Sequence, residues 1–177
     1  MEKYPWCDGI DIDLERGDGY STHAESTAMF RNIYNTVKAY DPAKHMNICL
    51  PGMTSVNGSV GGENWCVYGD LDAYCDTASI MSYGMAWAGS APGPVSPRSW
   101  LEGIYDYATK VMDSNKIFLG MPAYGWNWQI YDTPENLGRT YRGTSNTYYA
   151  AKLWMTGGYN FADDAPPQPF LPIAVSY

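Results

Sequence analysis

Three carboxylates at alternate positions, Asp11, Asp13 and Glu15, stand out in the run Asp8-Gly9-Ile10-Asp11-Ile12-Asp13-Leu14-Glu15. Side chains of an extended strand alternate faces, so these acids share one surface while Ile10, Ile12 and Leu14 take the other. Successive acids on that surface are about 6–7 Å apart and repel one another. Crowded carboxylates do not all ionise easily. One of them tends to keep its proton near neutral pH and can then work as a general acid. A solvent-facing acidic strand or a cation site has the same spacing, and the residues by themselves leave these alternatives open.

The elements needed to hold such a strand can be read along the chain. The first strand runs from about Tyr4 to Glu15, with a glycine turn at Gly17 and Gly19 after it. A helical stripe follows at Met29, Phe30, Ile33, Tyr34 and Val37, ending at Asp41-Pro42. Met46 to Leu50 reads as a short buried strand closed by Pro51-Gly52, and a Gly- and Asn-rich loop leads to Gly69. Thr77 to Tyr83 is a third strand. Ser96-Pro97 opens a helix with the stripe Trp100, Leu101, Ile104, Tyr105, Ala108 and Val111. Lys116 to Met121 is a fourth strand, stopped by Pro122; beyond it come a helical pattern from Thr147 to Met155 and a proline-rich run from Pro166 to Pro172. Short apolar strands alternating with helices specify an α/β chain with a parallel sheet covered by helices.

Composition narrows the classes of function. With 177 residues, 45% hydrophobic and 17% charged, the chain has material for one packed domain. A net charge of -8 excludes phosphate-backbone binding, which draws on clustered Lys and Arg, so no nucleic-acid partner is expected. No apolar run has the length of a membrane span, and Met1 to Pro5 lacks the basic-then-apolar layout of a signal peptide. Cys7, Cys49, Cys66 and Cys75 show no CxxC spacing, and neither His23 nor His45 stands at a ligand spacing from them, so no metal or other cofactor is expected. Cys7 and Cys49 fall in expected strands and read as core thiols; disulfide pairing among the loop cysteines stays open. Aromatic residues make up 15% of the chain, many beside Gly and Pro, where rings offer flat platforms to the C–H faces of sugars.

The acidic strand resembles the DGxDxDxE signature of family 18 glycoside hydrolases, the chitinase-like enzymes. That resemblance implies Glu15 as the general acid, Asp13 as the group assisting the substrate's acetamido function, and Asp11 as their hydrogen-bonding support. Met81-Ser82-Tyr83-Gly84 is similar to the family's MxYD element, which implies that Tyr83 donates to the acetamido oxygen, although Gly84 stands where the family has Asp. The segment from Trp87 to Pro97 resembles the GPVxP loop of the spore-lytic and cell-wall branch, and Lys116 to Trp126 resembles the family's KIxLGxPxYG stretch. Met81, Trp87, Tyr124 and Trp126 are the substrate-binding residues so implied.

The implied fold is a (β/α)8 TIM barrel, with the four strands corresponding to the fourth through seventh of the eight. A whole barrel takes about 250 residues, so residues 1–177 are expected to be a partial catalytic domain belonging to a longer chain. The implied activity is cleavage of β-1,4-linked N-acetylglucosamine polymers, chitin or peptidoglycan, by a retaining route in which the substrate's acetamido group is the nucleophile. The alternative is a chitinase-like lectin or phage structural domain that holds glycans without cutting them. Open barrel edges imply self-association or pairing with the remainder of the barrel. An extracellular, cell-wall or virion setting goes with such substrates.

Overall fold

The computed structural model describes residues 4, 6–15, 22–56, 65–129, 143–147 and 173–175. The chain divides into two compact units, one formed by Met1–Ser82 with Arg98–Gly120 and the other by Tyr83–Pro97 with Met121–Tyr177.

The first unit holds a four-stranded sheet made of β1 (Gly9–Ile12), β2 (His45–Pro51), β3 (Thr77–Met81) and β4 (Ile117–Leu119), ordered as in the sequence. All three pairings are parallel. Helices α1 (His23–Tyr40), α2 (Tyr68–Leu71) and α3 (Arg98–Val111) fall between successive strands, the repeating βα unit expected from the sequence. Parallel pairing aligns Ile12, Pro51, Met81 and Leu119 along one carboxyl-terminal rim. Gly9 lies so close to β2 that a Cβ there would come within 2.0 Å of the His45 carbonyl oxygen.

One face of this sheet is the core. Met46, Ile48, Leu50, Ala78 and Ile80 are fully buried there, along with Phe30 and Val37 of α1 and Ile104 and Ala108 of α3. The expected helical stripes are therefore narrower than the sequence suggested: Met29, Tyr105 and Val111 are exposed. Such a strip matches helices that meet a sheet on one side only. A capping box starts α1, with Thr22 Oγ1 accepting from the Glu25 N–H at 3.2 Å and the Thr22 N–H donating to Glu25 Oε2 at 2.8 Å. Two polar clamps, one buried and one half-buried, tie the layers. Tyr68 donates its hydroxyl hydrogen to the Pro51 carbonyl and accepts from the Met53 N–H, and burial pushes its phenol well above the usual range. Asp76, just before β3, accepts from Lys38 Nζ at 2.6 Å, from the Met46 N–H at 2.8 Å and from the Tyr34 hydroxyl at 3.4 Å.

The second unit contains an antiparallel sheet, β6-β5-β7, in which β5 (Tyr124–Gln129) lies between β6 (Gly143–Thr147) and β7 (Ile173–Val175). Trp128 of β5 is buried. The sequence reading did not anticipate this sheet. Thr147, read there as the start of a helix, ends β6; residues 148–155, the proline-rich run and the Gly17/Gly19 turn lie outside the described residues. Cys7 precedes β1 rather than lying within a strand, and no disulfide joins the four cysteines.

Two expectations follow. Burial pushes the Asp76 carboxyl up, but the hydrogen bonds from Lys38 and Met46 and the nearby Lys38 charge outweigh that and hold it below its ordinary value. The unfolded chain then binds more protons in the interval between the two values. The clamp's contribution is complete above the ordinary carboxylate value of about 3.9 and is lost as the pH falls through the folded value. Asp76→Asn should therefore lower the urea midpoint at neutral pH, with the gap to wild type closing in acid; a gap independent of pH would contradict the clamp. Gly9→Ala should cost about 1–3 kcal/mol in urea unfolding, the penalty of overpacking, because the His45 carbonyl belongs to the backbone and cannot swing away.

Candidate active site

On the face of the sheet opposite the core, strand alternation gathers polar side chains from β1, β2 and β3, while Phe118 of β4 adds an exposed ring in register with Ser79. Asp11 is in register with Asn47 and Asn47 with Thr77, while Cys49 is in register with Ser79. These side chains form a ladder across three strands. Asn47 Nδ2 donates to Asp11 Oδ1 at 2.7 Å, and Asn47 Oδ1 accepts from Thr77 Oγ1 at 2.8 Å and from Ser79 Oγ at 3.3 Å. His45 Nε2 lies 2.8 Å from Thr77 Oγ1. Cys49 Sγ donates to the same Asp11 oxygen at 3.6 Å.

Asp13 and Glu15 follow the carboxyl end of β1, and Asp11, Asp13 and Glu15 are all exposed. Their common side is marked by Cys49. Burial pushes that thiol up, and the charges of Asp11 and Asp13, the hydrogen bond to Asp11 and the charge of Glu15 push it further, to about 11. At neutral pH it is therefore a protonated donor rather than a nucleophile. Three carboxylates that act on one thiol present an acidic surface to solvent, able to donate or accept a proton and to stabilise nearby positive charge. Among the described residues no three His, Cys, Asp or Glu side chains converge closely enough to hold a metal ion. Met81, the remaining expected site residue of this unit, closes β3 and is half-buried.

The second unit carries the aromatic members of the expected site. Tyr83 meets Tyr124 edge to face at 6.2 Å between ring centroids, and Tyr124 meets Trp126 in the same manner at 6.3 Å. Such contacts set one positive ring edge against the next ring's negative face and fix all three orientations. Burial pushes the Tyr124 phenol up. Trp87 is 56% exposed, yet its position is set from beneath: a Cβ on Gly89 would come within 2.5 Å of the indole. The Trp87 N–H donates to Ser90 Oγ at 2.9 Å, which closes the turn under the ring. Gly84 has φ of +90°, in the left-handed region, with no atom within 4 Å of where its Cβ would stand. There is room for a side chain at this position but not a backbone that favours one.

Asn47, Thr77 and Ser79 escaped the sequence reading, as did the orientation of Cys49, which was read as a core thiol. A signal was present: His45, Asn47 and Cys49 alternate with Met46, Ile48 and Leu50, and Thr77 and Ser79 alternate with Ala78 and Ile80. The register of the sheet turns those separate alternations into one polar face.

Comparison with known proteins adds kinship to this geometry. A family model described as "Glycosyl hydrolases family 18" matches residues 1–163. The uncharacterized glycosylase YvbX of Bacillus subtilis (strain 168) is 24% identical over 127 residues, covering 70% of this chain and 35% of YvbX. The cortical fragment-lytic enzyme of Bacillus anthracis is 33% identical over 130 residues, covering 73% of this chain and 29% of that enzyme. Among solved structures, the Bacillus cereus spore cortex-lytic enzyme SleL superposes with a TM-score of 0.72 at 22% identity, over 88% of this chain and 34% of SleL. The chain thus spans about a third of the length of these relatives.

The left-handed backbone at Gly84 makes a specific prediction. Gly84→Asp, which places a carboxyl where the resembling element has one, should destabilise the protein by about 1–2 kcal/mol, the cost of a left-handed L-residue. Unfolding midpoints in urea measure it. A variant as stable as wild type would show that the loop accepts a side chain without strain.

Proposed function

Because the chain belongs to glycosyl hydrolase family 18, we propose that it forms part of a glycosidase acting on β-1,4-linked N-acetylglucosamine polymers, with peptidoglycan as the leading substrate and chitin as the other. The observation that carries the reading is the run of exposed carboxylates Asp11, Asp13 and Glu15 at the carboxyl end of β1, with Asp11 held by Asn47 Nδ2 at 2.7 Å. Support for peptidoglycan comes from relatives named as cortical fragment-lytic and spore cortex-lytic enzymes.

In the proposed reaction Glu15 gives its proton to the glycosidic oxygen as the bond to the anomeric carbon breaks. The carbonyl oxygen of the sugar's own 2-acetamido group bonds to that carbon from the opposite face, giving an oxazolinium ion. Asp13 accepts a hydrogen bond from the acetamido nitrogen and balances its positive charge. Water then attacks the anomeric carbon, Glu15 takes the proton from that water, and the acetamido group is released, so configuration is retained. No enzyme nucleophile is used, which sets this route apart from the two-carboxylate scheme. The resemblance assigns to Tyr83 the donor role toward the acetamido oxygen; the aromatic contacts that fix its ring support that assignment.

A second reading, glycan binding without cleavage, is favoured by one observation, the absence of a carboxyl at Gly84 together with a backbone suited to glycine there. Both readings meet in one assay on the full-length protein. Glu15→Gln keeps shape and removes the transferable proton, so reducing-end release from peptidoglycan and from N-acetylglucosamine oligomers should fall by about 10²- to 10⁴-fold. Equal release by the variant would sink the role of Glu15. Tight glycan binding with no release by wild type would establish the binding reading instead.

A further inference from the structure

We propose that Asn47 is a positioning residue, holding the Asp11 carboxylate in one orientation on the acidic face; its catalytic consequence rests on the glycosidase reading above. Asp11 is exposed, and an exposed carboxylate without a fixed donor samples several rotamers. Here its Oδ1 receives two donors from the neighbouring strand, Asn47 Nδ2 at 2.7 Å and Cys49 Sγ at 3.6 Å. Both of these donors fall on Oδ1, so they fix the plane of the carboxylate from one side.

The amide of Asn47 is itself fixed. Its Oδ1 accepts from Thr77 Oγ1 at 2.8 Å and its Nδ2 donates to Ser79 Oγ at 3.1 Å as well as to Asp11, so turning the amide over would set a carbonyl oxygen against the Asp11 carboxylate. Thr77 is held in turn by His45 Nε2. The central strand β2 thus transmits the orientation of β3 to the side chain of β1. This role follows from the register Asp11↔Asn47↔Thr77, since a shift of one residue would turn Asn47 into the core.

The test uses the full-length protein and two isosteric variants. Asn47→Leu removes every polar atom, whereas Asn47→Asp keeps the acceptor toward Thr77, loses the Nδ2 donor to Asp11 and Ser79 and sets a second carboxyl against Asp11. With N-acetylglucosamine oligomers or peptidoglycan as substrate, each should lower kcat by about 10- to 100-fold while KM stays nearly constant, as misplacement of a catalytic constellation does. The acidic limb of the pH–rate profile should move as well. Unchanged kcat and profile in a folded Asn47→Asp variant would overturn the proposal.

A second readout needs no substrate. In a Cys7→Ser background, the pH dependence of Cys49 alkylation by iodoacetamide reports how closely Asp11 is held to the thiol. Burial, the largest cause of the raised value, remains in Asn47→Leu, but the part due to the Asp11 charge and hydrogen bond should be lost as Asp11 swings away, so the midpoint should fall below about 11. An unmoved midpoint would refute the positioning role. A wild-type protein that cuts no glycan would defeat the glycosidase reading, and the thiol titration would still decide whether Asn47 holds Asp11.

Discussion

The register of three parallel strands is the constraint on which this structure depends. Asp11, Asn47 and Thr77 stand side by side, as do Ile12, Ile48 and Ala78 one residue later. Because a strand's side chains alternate, burying Ile48 and Ala78 against helices obliges Asn47 and Thr77 to face the other way. The hydrophobic effect on one face therefore determines which polar groups meet on the other. No energy need be drawn from the polar face to assemble it; packing of Met46, Leu50 and Ile80 beneath does that work.

The arrangement also separates stability from chemistry within the first unit. Its polar clamps, the half-buried Asp76 with Lys38 and the buried Tyr68 with Pro51 and Met53, tie the helices and loops to the strands. The acids Asp11, Asp13 and Glu15 remain exposed and take no part in those clamps. In (β/α)8 barrels active sites sit at the carboxyl ends of the strands, and Asp13 and Glu15 lie at that end of β1. In the second unit, the three rings of Tyr83, Tyr124 and Trp126 fix one another through edge-to-face contacts.

Much of this was legible in the sequence because it rests on local pattern. The alternation of Ile10, Asp11 and Ile12 and the apolar residues Phe30, Val37, Trp100, Ile104 and Ala108 follow the periods of strand and helix, although the strand expected from Tyr4 to Glu15 spans only Gly9–Ile12 and Leu14 is exposed. What stayed hidden depends on partners distant in sequence. Asn47 looked like one polar residue in a buried strand, and only pairing with Asp11, 36 positions away, gives it meaning. Cys49 looked apolar for the same reason. The sheet of β5, β6 and β7 was missed because antiparallel pairing of Gly143–Thr147 and Ile173–Val175 with Tyr124–Gln129 joins segments that carry no strong strand pattern of their own. Nor does sequence show the sign of φ at Gly84, which turns an apparent loss of a carboxyl into a feature of the backbone.

In the proposed function this acidic face serves retaining cleavage of an N-acetylglucosamine polymer, in which the substrate supplies its own nucleophile. Time-resolved proton NMR of the sugars first released by the full-length protein tests it most directly, since anomeric signals record the configuration before mutarotation. With retention at a β-linkage, the β-anomer is expected to appear first. First release of the α-anomer, or no released sugar at all from N-acetylglucosamine oligomers and peptidoglycan, would contradict it.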